Sequence, residues 1–587
     1  MTDTPPSYAP DVQAAAVALR AGKIGDAQSQ IDQILDARPD DADALNLREA
    51  LQSMQGSFRD ALPFAQRASA LRPGDPRLAL NLASLLTITG KLEAALEIFD
   101  QQIAKTPNDL RTLHDRGRVL TEIGRPKAAC ADLEAAISIA PKVGDFHASL
   151  AEAHLKLKQP SAALTAAQRA IELGEQSGRA HIALGRAQIA LGDLAAARTS
   201  LATATEIDPK ALYPGAALVE VERRLGDASA AEAAADQLLR RAPVGMRRAG
   251  ASEVTVLVLE RFGERGFGDL QPTLHPHAGA NFIGQAPAGR IAYAHAFIDR
   301  DPSVDAAKAM LGEVGVIYNN WANAEAMRRS DAGAPLREFL ASARPGPPVI
   351  NAPEDVAETT REANARAYAD ETRFLFPETI MVPASSDGAE DVRRETIFAK
   401  MRPPFILRPL STHRGAGARV VESEAAFDAA LATLHDVDLY AIQYIDCSSA
   451  DGIFRRYRMA VIGEQISPQN MHVASNWNVH GSERDAYDWD ATGLRMEEEA
   501  LLSEPEALLG GAPEIVFASV LERTKLDIYG IDFGRRRSDG AIVVFEVNAA
   551  MSFTSVQLAR RFPYLWPHRD RLTDQIEALF LRRATSG

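Results

Sequence analysis

The chain has only two cysteines, Cys130 and Cys447, in 587 residues, one in each half. That scarcity argues against a disulfide framework and against a cysteine-based zinc site. It suits a reducing cytoplasm, where the protein is expected to work. No run approaches the ~18 apolar residues of a membrane span. The opening MTDTPPSYAP also lacks a basic stretch leading into an apolar core, so a soluble chain with no membrane partner is expected. Positive charge is in deficit: 64 Lys and Arg against 79 Asp and Glu leave −15. This argues against nonspecific nucleic-acid binding by the molecule as a whole, though not against a local basic surface. There is no G-x-x-x-x-G-K-S/T phosphate loop. The composition, 46% hydrophobic and 24% charged, is that of a folded soluble protein. At ~150 residues per domain, its length implies three or four units or a repeat array.

What the first half has in abundance is repetition. Alanine recurs every 34 residues at Ala27, Ala61, Ala95, Ala129, Ala163, Ala197 and Ala231. Glycine keeps nearly the same step at Gly22, Gly56, Gly90, Gly124, Gly192 and Gly226, with Lys158 as the exception. Proline follows at Pro39, Pro73, Pro107, Pro141, Pro209 and Pro243, with Glu175 in the remaining slot. Each period reads as helix, Gly-containing turn, helix, Pro-marked turn, with Ala where two helices approach closely. This resembles the tetratricopeptide repeat, whose period is 34 and whose small residues and closing Pro fall at these places. The small residue expected in the first helix is also present, as Ala83, Gly117, Ala151 and Gly185. The resemblance implies an all-α solenoid of seven repeats over residues 8–245, after a disordered lead of residues 1–7. Such an array offers a concave binding surface lined by the first helix of each repeat.

In that family's register the groove-facing positions fall on Arg77, Arg111, His114, Arg118, Arg179 and Arg186. Arginine pairs bidentately with carboxylates, so an acidic peptide or protein segment is the expected ligand. The alternative is that these arginines are solvated or paired within the molecule.

After Pro243 the period stops, and the boundary is expected between Val244 and Ala251. The run Val254 to Leu259 leads into RFGERGFGDLQP. The spacing of its Gly263, Gly266 and Gly268 is not that of a dinucleotide loop, and Pro272 and Pro276 forbid an immediate helix. His275 and His277 have no third metal ligand nearby and read as loop or substrate-contact histidines. A helix over Val304 to Leu311, a strand over Val314 to Tyr318, Asn319 and Asn320 capping what comes next, a strand at PVIN, and a polar helix over APEDVAETTREANARAYADET follow. They indicate a small α/β unit with a parallel sheet, over residues 251–350, whose functional edge is at the strands' carboxyl ends. An α+β segment runs on from Phe405 to Tyr444.

The chemistry-bearing stretch is YGIDFGRRRSDGAIVVFEVNAAMSFTS, Tyr529 to Ser555. Asp532 lies in one apolar run, and Glu546 and Asn548, two apart, end a second, so alternation points these last two to one face. The RRRSDG between the runs makes a hairpin that brings Asp532 beside them. Two carboxylates and an amide suit a hard cation. A polar edge hairpin fits the same residues. Three features precede it in order. FILRPLSTHRGAGARVV carries Arg408, then Gly415 and Gly417 in a loop able to cover phosphates. LYAIQYID is a strand leading to Gln443, Tyr444, Ile445 and Asp446. FRRYRMAVIGEQI places Arg458 on a strand.

In this order the features resemble an ATP-grasp domain, closest to the glutathione synthetase and ribosomal-protein glutamate ligase branch. The resemblance covers about Val254 to Phe580 and implies a small α/β pre-grasp subdomain followed by an α+β ATP-grasp fold over residues 351–587. It implies Mg²⁺, with Mn²⁺ as the alternative metal, on Asp532, Glu546 and Asn548, bridging the phosphates of ATP. Arg458 would stabilise an acyl phosphate, Gln443 to Ile445 would meet the adenine, and Asp446 the ribose. Arg408 stands where the family has a phosphate-binding lysine, and Arg361 is the nearest candidate for a second. Beyond Asn548, Ser552, Thr554 and Ser555 are expected near the metals. His472, Trp477 and Asn478 are expected in a long loop that meets substrate or simply orders itself. The implied activity is ATP-dependent ligation of a carboxylate to an amine, hydroxyl or thiol, with ADP and phosphate released, and with the solenoid recruiting the substrate peptide. A non-catalytic nucleotide-binding scaffold is the rival reading, favoured by the two Lys-to-Arg departures.

Overall fold

The structure is a computed structural model and describes residues 9–174, 178–209, 212–241, 243–247, 252–261, 290–329, 331–384, 390–410, 417–434, 436–479, 484, 486–549, 553–554 and 556–585. The lead over residues 1–7, Gly263 to His277, Gly415, Ser552 and Ser555 lie outside these residues, as does part of the expected boundary after Arg247. The chain divides into two compact units, whose main stretches are Met1–Glu253 and Tyr293–Gly587, with Val254 opening the second.

Among the described residues the first unit holds fourteen helices, from Pro10–Arg20 to Ala228–Arg241, followed by a short strand β1 (Val244–Arg247). The helices form seven antiparallel pairs because the alanine of each period has no room for anything larger. Ala27, Ala61, Ala95, Ala129, Ala163 and Ala197 are fully buried and Ala231 nearly so. Gly117 and Gly185 serve the same purpose in the first helices: a Cβ on either would stand 2.8 Å from Cγ of Leu133 or Leu201. Each turn after a first helix needs a left-handed residue. Six are the expected glycines, and the exception, Lys158, takes that conformation too, at φ 58°.

The second unit contains three sheets. In the first, β2 (Val254–Glu260), β4 (Val316–Asn319) and β5 (Val349–Ile350) run parallel, with β3 (Ile291–Phe297) on the other side of β2. The second is antiparallel in the order β6-β9-β7-β8, from β6 (Thr379–Val382), β7 (Phe405–Pro409), β8 (Arg419–Val421) and β9 (Leu439–Gln443). The third is antiparallel in the order β11-β10-β12-β13, from β10 (Phe454–Ile462), β11 (Gln465–Ala474), β12 (Ile528–Arg535) and β13 (Ile542–Asn548). One face of this third sheet is apolar: Tyr457, Met459, Ile531, Phe533 and Val547 are all buried, and Tyr457 stacks on Phe533 at 5.3 Å. Alternation therefore commits the other face to Arg456, Arg458, Asp532 and Glu546.

Two buried asparagines fasten the parallel sheet to the third one. Asn351, at φ 56°, donates to Ile528 O at 2.7 Å and accepts from the backbone N–H of Asp527 and Ile528. Asn319 donates to Asn351 O at 2.9 Å. The helix Trp566–Thr585 packs on both sheets through Leu572, Ile576, Leu579 and Phe580, the last against Tyr293 and Tyr318.

Two local expectations change, and a third is refined. Asn319 Oδ1 accepts from Trp321 N–H at 3.0 Å while its NH₂ donates to Asn351 O, and the Asn320 NH₂ donates to Glu260; the helix Ala324–Arg328 that follows is capped by Asn323. The polar helix after PVIN is two helices, Pro353–Ala357 and Arg361–Ala367, because the Thr360 hydroxyl accepts from Ala363 N–H and starts a new one. His472 is not in a loop: Met471 to Ala474 continue strand β11.

Candidate active site

Register alone gathers the charged face of the third sheet. Arg458 lies opposite Asp532, and Asp532 opposite Glu546; on the other side of β10, Asn470 and His472 lie opposite Arg458 and Arg456. Directly opposed residues of antiparallel strands share a face, so β11 contributes an amide and an imidazole, β10 two guanidiniums, and β12 and β13 one carboxylate each. Asn548 falls on the same face as Glu546, opposite Gly530. The Arg458 fork holds Asp532 bidentately, Nε to Oδ1 at 2.5 Å and Nη2 to Oδ2 at 2.6 Å, and Arg456 Nη1 is 3.5 Å from the same carboxylate.

Arg361 comes in from the helix Arg361–Ala367. That helix is tied to β13 by Asn364, whose amide donates to Val547 O at 2.7 Å. Arg361 pairs with Glu546 at 2.9 Å and donates to Phe545 O at 3.2 Å. Arg408, on β7, is half-buried beside Arg361; desolvation first and then Arg361 push its guanidinium down to about 10, with Glu546 and Glu325 opposing. Glu325 also accepts from the Tyr440 hydroxyl at 3.0 Å.

The electrostatics follow from this crowding. Burial opposes ionisation of Asp532, yet Arg458 and Arg456 hold its carboxyl well below the usual range. Burial likewise opposes ionisation of Glu546, and Arg361 and Arg408 lower it. Burial first, then Arg456 and Arg458, push His472 far down, so its imidazole is neutral. Four guanidiniums thus surround two carboxylates, with Glu325 behind Arg408 as a third. The face keeps a positive surplus in a buried setting, which an anion would relieve. Three buried polar atoms on it have no hydrogen-bond partner among the described residues: Arg456 Nε, Asn470 Oδ1 and His472 Nδ1.

Among the described residues no group of three or more His, Cys, Asp or Glu side chains is arranged to hold a metal ion. Asp532, Glu546 and the Asn548 amide make a donor set of the kind Mg²⁺ accepts when phosphate oxygens supply the remaining ligands. Both Asp532 oxygens are held by Arg458, and Glu546 pairs with Arg361, so a metal would have to share these carboxylates with the arginines.

The sheet containing β7 and β9 places the other expected nucleotide residues. Strand β9 ends at Gln443, whose backbone is paired with Glu378 O at 2.8 Å. Tyr444 and Ile445 follow it half-buried, and Asp446 is exposed, its carboxylate accepting from Ser448 N–H at 2.9 Å. Gly417, at φ 72°, sits before β8 with Pro409 against its Cα. Thr554 is buried, its hydroxyl 3.5 Å from Gln469 O.

Arg456 and Asn470 were not singled out by the sequence argument, and His472 only as part of a loop, yet the signal was there: in FRRYRM, Arg456 is two residues from Arg458 and must share its face. A further cluster left no such signal. Glu498, fully buried, accepts from Arg484 at 3.0 and 2.5 Å, from Tyr564 at 2.5 Å and from Met471 N–H at 2.9 Å. The Arg484 guanidinium lies over Trp489 at 3.6 Å and Phe562 at 4.4 Å. This cluster pins β11 beside His472.

In the first unit the groove arginines divide. Arg77 pairs with Asp43 at 2.8 Å, and Arg179 with Asp145 at 2.7 Å and Ser149 at 3.0 Å. Arg111 is exposed, 3.6 Å from Asp115. His114 is not a groove contact: it is buried against Phe146, with Nε2 2.8 Å from Ser149 Oγ. Arg118, exposed, and Arg186, half-buried, have no ion pair among the described residues.

Tetratricopeptide-repeat family models match residues 54–115 and 158–217, and residues 12–48 and 114–178. The N-terminal array is a tetratricopeptide repeat solenoid. Solved structures similar to it include a tetratricopeptide repeat protein from Parabacteroides merdae, at 14% identity over 40% of this chain and 92% of that one, TM-score 0.36. Another is MamA, at 20% identity over 27% of this chain and 94% of that one, TM-score 0.25. A third is the APC/C hetero-tetramer Cut9-Hcn1, at 15% identity over 40% of this chain and 47% of that one, TM-score 0.35. No curated relative matches the chain. The matched repeats end at residue 217, short of the charged sheet.

Proposed function

We propose that the second unit is an ATP-grasp ligase that joins a carboxylate to a nucleophile, an amine before a hydroxyl or thiol, and that the tetratricopeptide solenoid recruits the peptide or protein substrate. The observation carrying this is the arginine surplus around Asp532 and Glu546, buried at Arg458 and half-buried at Arg361, Arg408 and Arg456, a setting suited to polyphosphate. Arg408 and Arg361 would hold phosphate oxygens at the β7 and β13 side, and Arg458 would steady the phosphorylated carboxylate. When bound, the metal supplies charge neutralisation on the phosphates. The γ-phosphoryl passes to a carboxylate oxygen with ADP leaving; the nucleophile then forms its bond to the carbonyl carbon, and phosphate leaves with the nucleophile's proton lost to solvent. Recruitment by the array would raise the substrate's effective concentration.

One observation favours a second reading, a nucleotide-binding scaffold without turnover. Asp532 and Glu546 are each already answered by an arginine. Magnesium-dependent ADP release, stimulated by a peptide substrate and lost in Asp532→Asn, is the outcome expected of the ligase. Nucleotide binding with no ADP release on any substrate would leave the scaffold, and no nucleotide binding at any magnesium concentration would overturn both.

A further inference from the structure

The two carboxylates of the charged face stand in different settings. Asp532 is sealed: its side chain is 4% exposed, and the Arg458 fork takes both of its oxygens at 2.5 and 2.6 Å. Turning one of those oxygens toward a cation means breaking a buried bidentate pair, which is strongly unfavourable. Glu546 is the open one, with 27% of its side chain exposed. It pairs with Arg361 at 2.9 Å, and Arg408 and Arg456 act on the same carboxylate through space. Those three arginines are half-buried, so the accessible charges of the face are three guanidiniums around one carboxylate. A cation approaching Glu546 meets three charges of its own sign, whereas an anion meets three of the opposite sign. The same carboxylates that would hold a metal are therefore spent on arginines.

We propose that this face takes a polyphosphate without a divalent cation, and that Glu546 is the anion the ligand displaces. Arg361 passes from the Glu546 carboxylate to a phosphate oxygen, and Arg408 and Arg456 supply the rest of the counter-charge. A guanidinium fork matches phosphate as well as it matches carboxylate, so the exchange keeps hydrogen bonds and brings in an anion of greater charge. Arg456 Nε, which has no hydrogen-bond partner among the described residues, gains an acceptor in the same exchange. Arginine in place of lysine at Arg361 and Arg408 points the same way, because each brings a fork and a permanent charge where lysine brings a single point charge. This inference rests on the polyphosphate site of the ligase reading but concerns the binding step alone, and turnover with Mg²⁺ is compatible with it.

The test titrates the full chain calorimetrically with ATP, inorganic triphosphate and AMP, in EDTA and in excess Mg²⁺. ATP and triphosphate are expected to bind in EDTA at least as tightly as in Mg²⁺, because the metal cancels part of the ligand's charge. AMP is expected to bind about tenfold or more weakly than ATP. Glu546→Gln keeps the side chain's size and removes the competing anion, so it should tighten triphosphate binding in EDTA by about tenfold. Loss of a metal ligand would instead weaken binding in Mg²⁺ and leave binding in EDTA unmoved. Arg361→Gln should weaken triphosphate binding in EDTA by about tenfold, and it serves if the Glu546 variant does not fold. Mn²⁺ added without nucleotide is expected to stay free, as read from its EPR signal. Binding that appears only with Mg²⁺, a folded Glu546 variant no tighter than the parent in EDTA, AMP binding equal to ATP, or Mn²⁺ held by the nucleotide-free chain would overturn the inference and leave the ligase reading in place. ATP binding in EDTA with no ADP released on any substrate in Mg²⁺ would leave the inference standing without the ligase, and no binding in either buffer would overturn both.

Discussion

The two units handle positive charge in opposite ways. In the solenoid, an arginine at one repeat position is answered across a single period: Arg77 reaches Asp43, and Arg179 reaches Asp145, each 34 residues back. The side chains are part-exposed, and the pairs knit neighbouring repeats together. In the second unit, arginines from Arg361, Arg408 and strand β10 converge on two carboxylates that cannot balance them. A repeat array can resolve its charges locally because each unit touches only its neighbours. The charged face of the second unit leaves its surplus unresolved, as the proposed binding of an anionic ligand would require.

The sharpest way to break the comparison is to remove one charged partner from each unit's ion pairs. Glu498→Ala leaves the Arg484 guanidinium buried between Trp489 and Phe562 with its counter-ion gone. This should cost about 3–5 kcal/mol in the second unit. Arg77→Ala, whose side chain is 30% exposed, should cost about 0–1 kcal/mol in the solenoid. All four tryptophans, Trp321, Trp477, Trp489 and Trp566, lie in the second unit. Denaturant unfolding followed by tryptophan fluorescence therefore reads that unit, and helical circular dichroism reads mainly the array. Similar shifts for the two variants would show that the acid–base cluster around Glu498 is no more critical than a surface pair.

Legibility in the sequence divides along the same line. The solenoid was readable because one structural decision is repeated at a fixed step, so Ala129 or Gly124 can be checked against six equivalents. The hairpin with Asp532 and Glu546 was readable because alternation and a turn are local. Arg361 was reached only through a family resemblance, since its contact with β13 spans 184 residues of chain. The burial of His114 was missed because it depends on Phe146 and Ser149 of the next repeat, a packing detail that register alone does not specify. Arg484 and Glu498 are 14 residues apart with no periodic relation, and only the fold makes them partners.

A smaller effect tests whether the array's close approaches are as strict as its period suggests. Gly117→Ala puts a methyl 2.8 Å from Leu133 Cγ and 3.1 Å from its Cδ2, and Leu133 is fully buried. Overpacking costs roughly 1–3 kcal/mol, against a gain of about 1 kcal/mol in helix propensity, so a net loss of about 1 kcal/mol is expected in the array's helical transition. An unchanged or raised midpoint would mean that the pair of helices separates freely.

The smallest change has the opposite sign. Lys158 is the one turn in the series without glycine, and it adopts the same left-handed backbone as Gly124 and Gly192, whose φ values are 88° and 85°. A side chain in that region carries roughly 1–2 kcal/mol of strain, partly offset because glycine has more freedom to lose on folding. Lys158→Gly should therefore stabilise the array by about 0.5–1 kcal/mol, seen as a rise in its helical transition with the tryptophan-reported transition unmoved. A loss of stability would mean that the Lys158 side chain contributes more than its backbone costs, and that this turn has departed from the others for a reason the period does not contain.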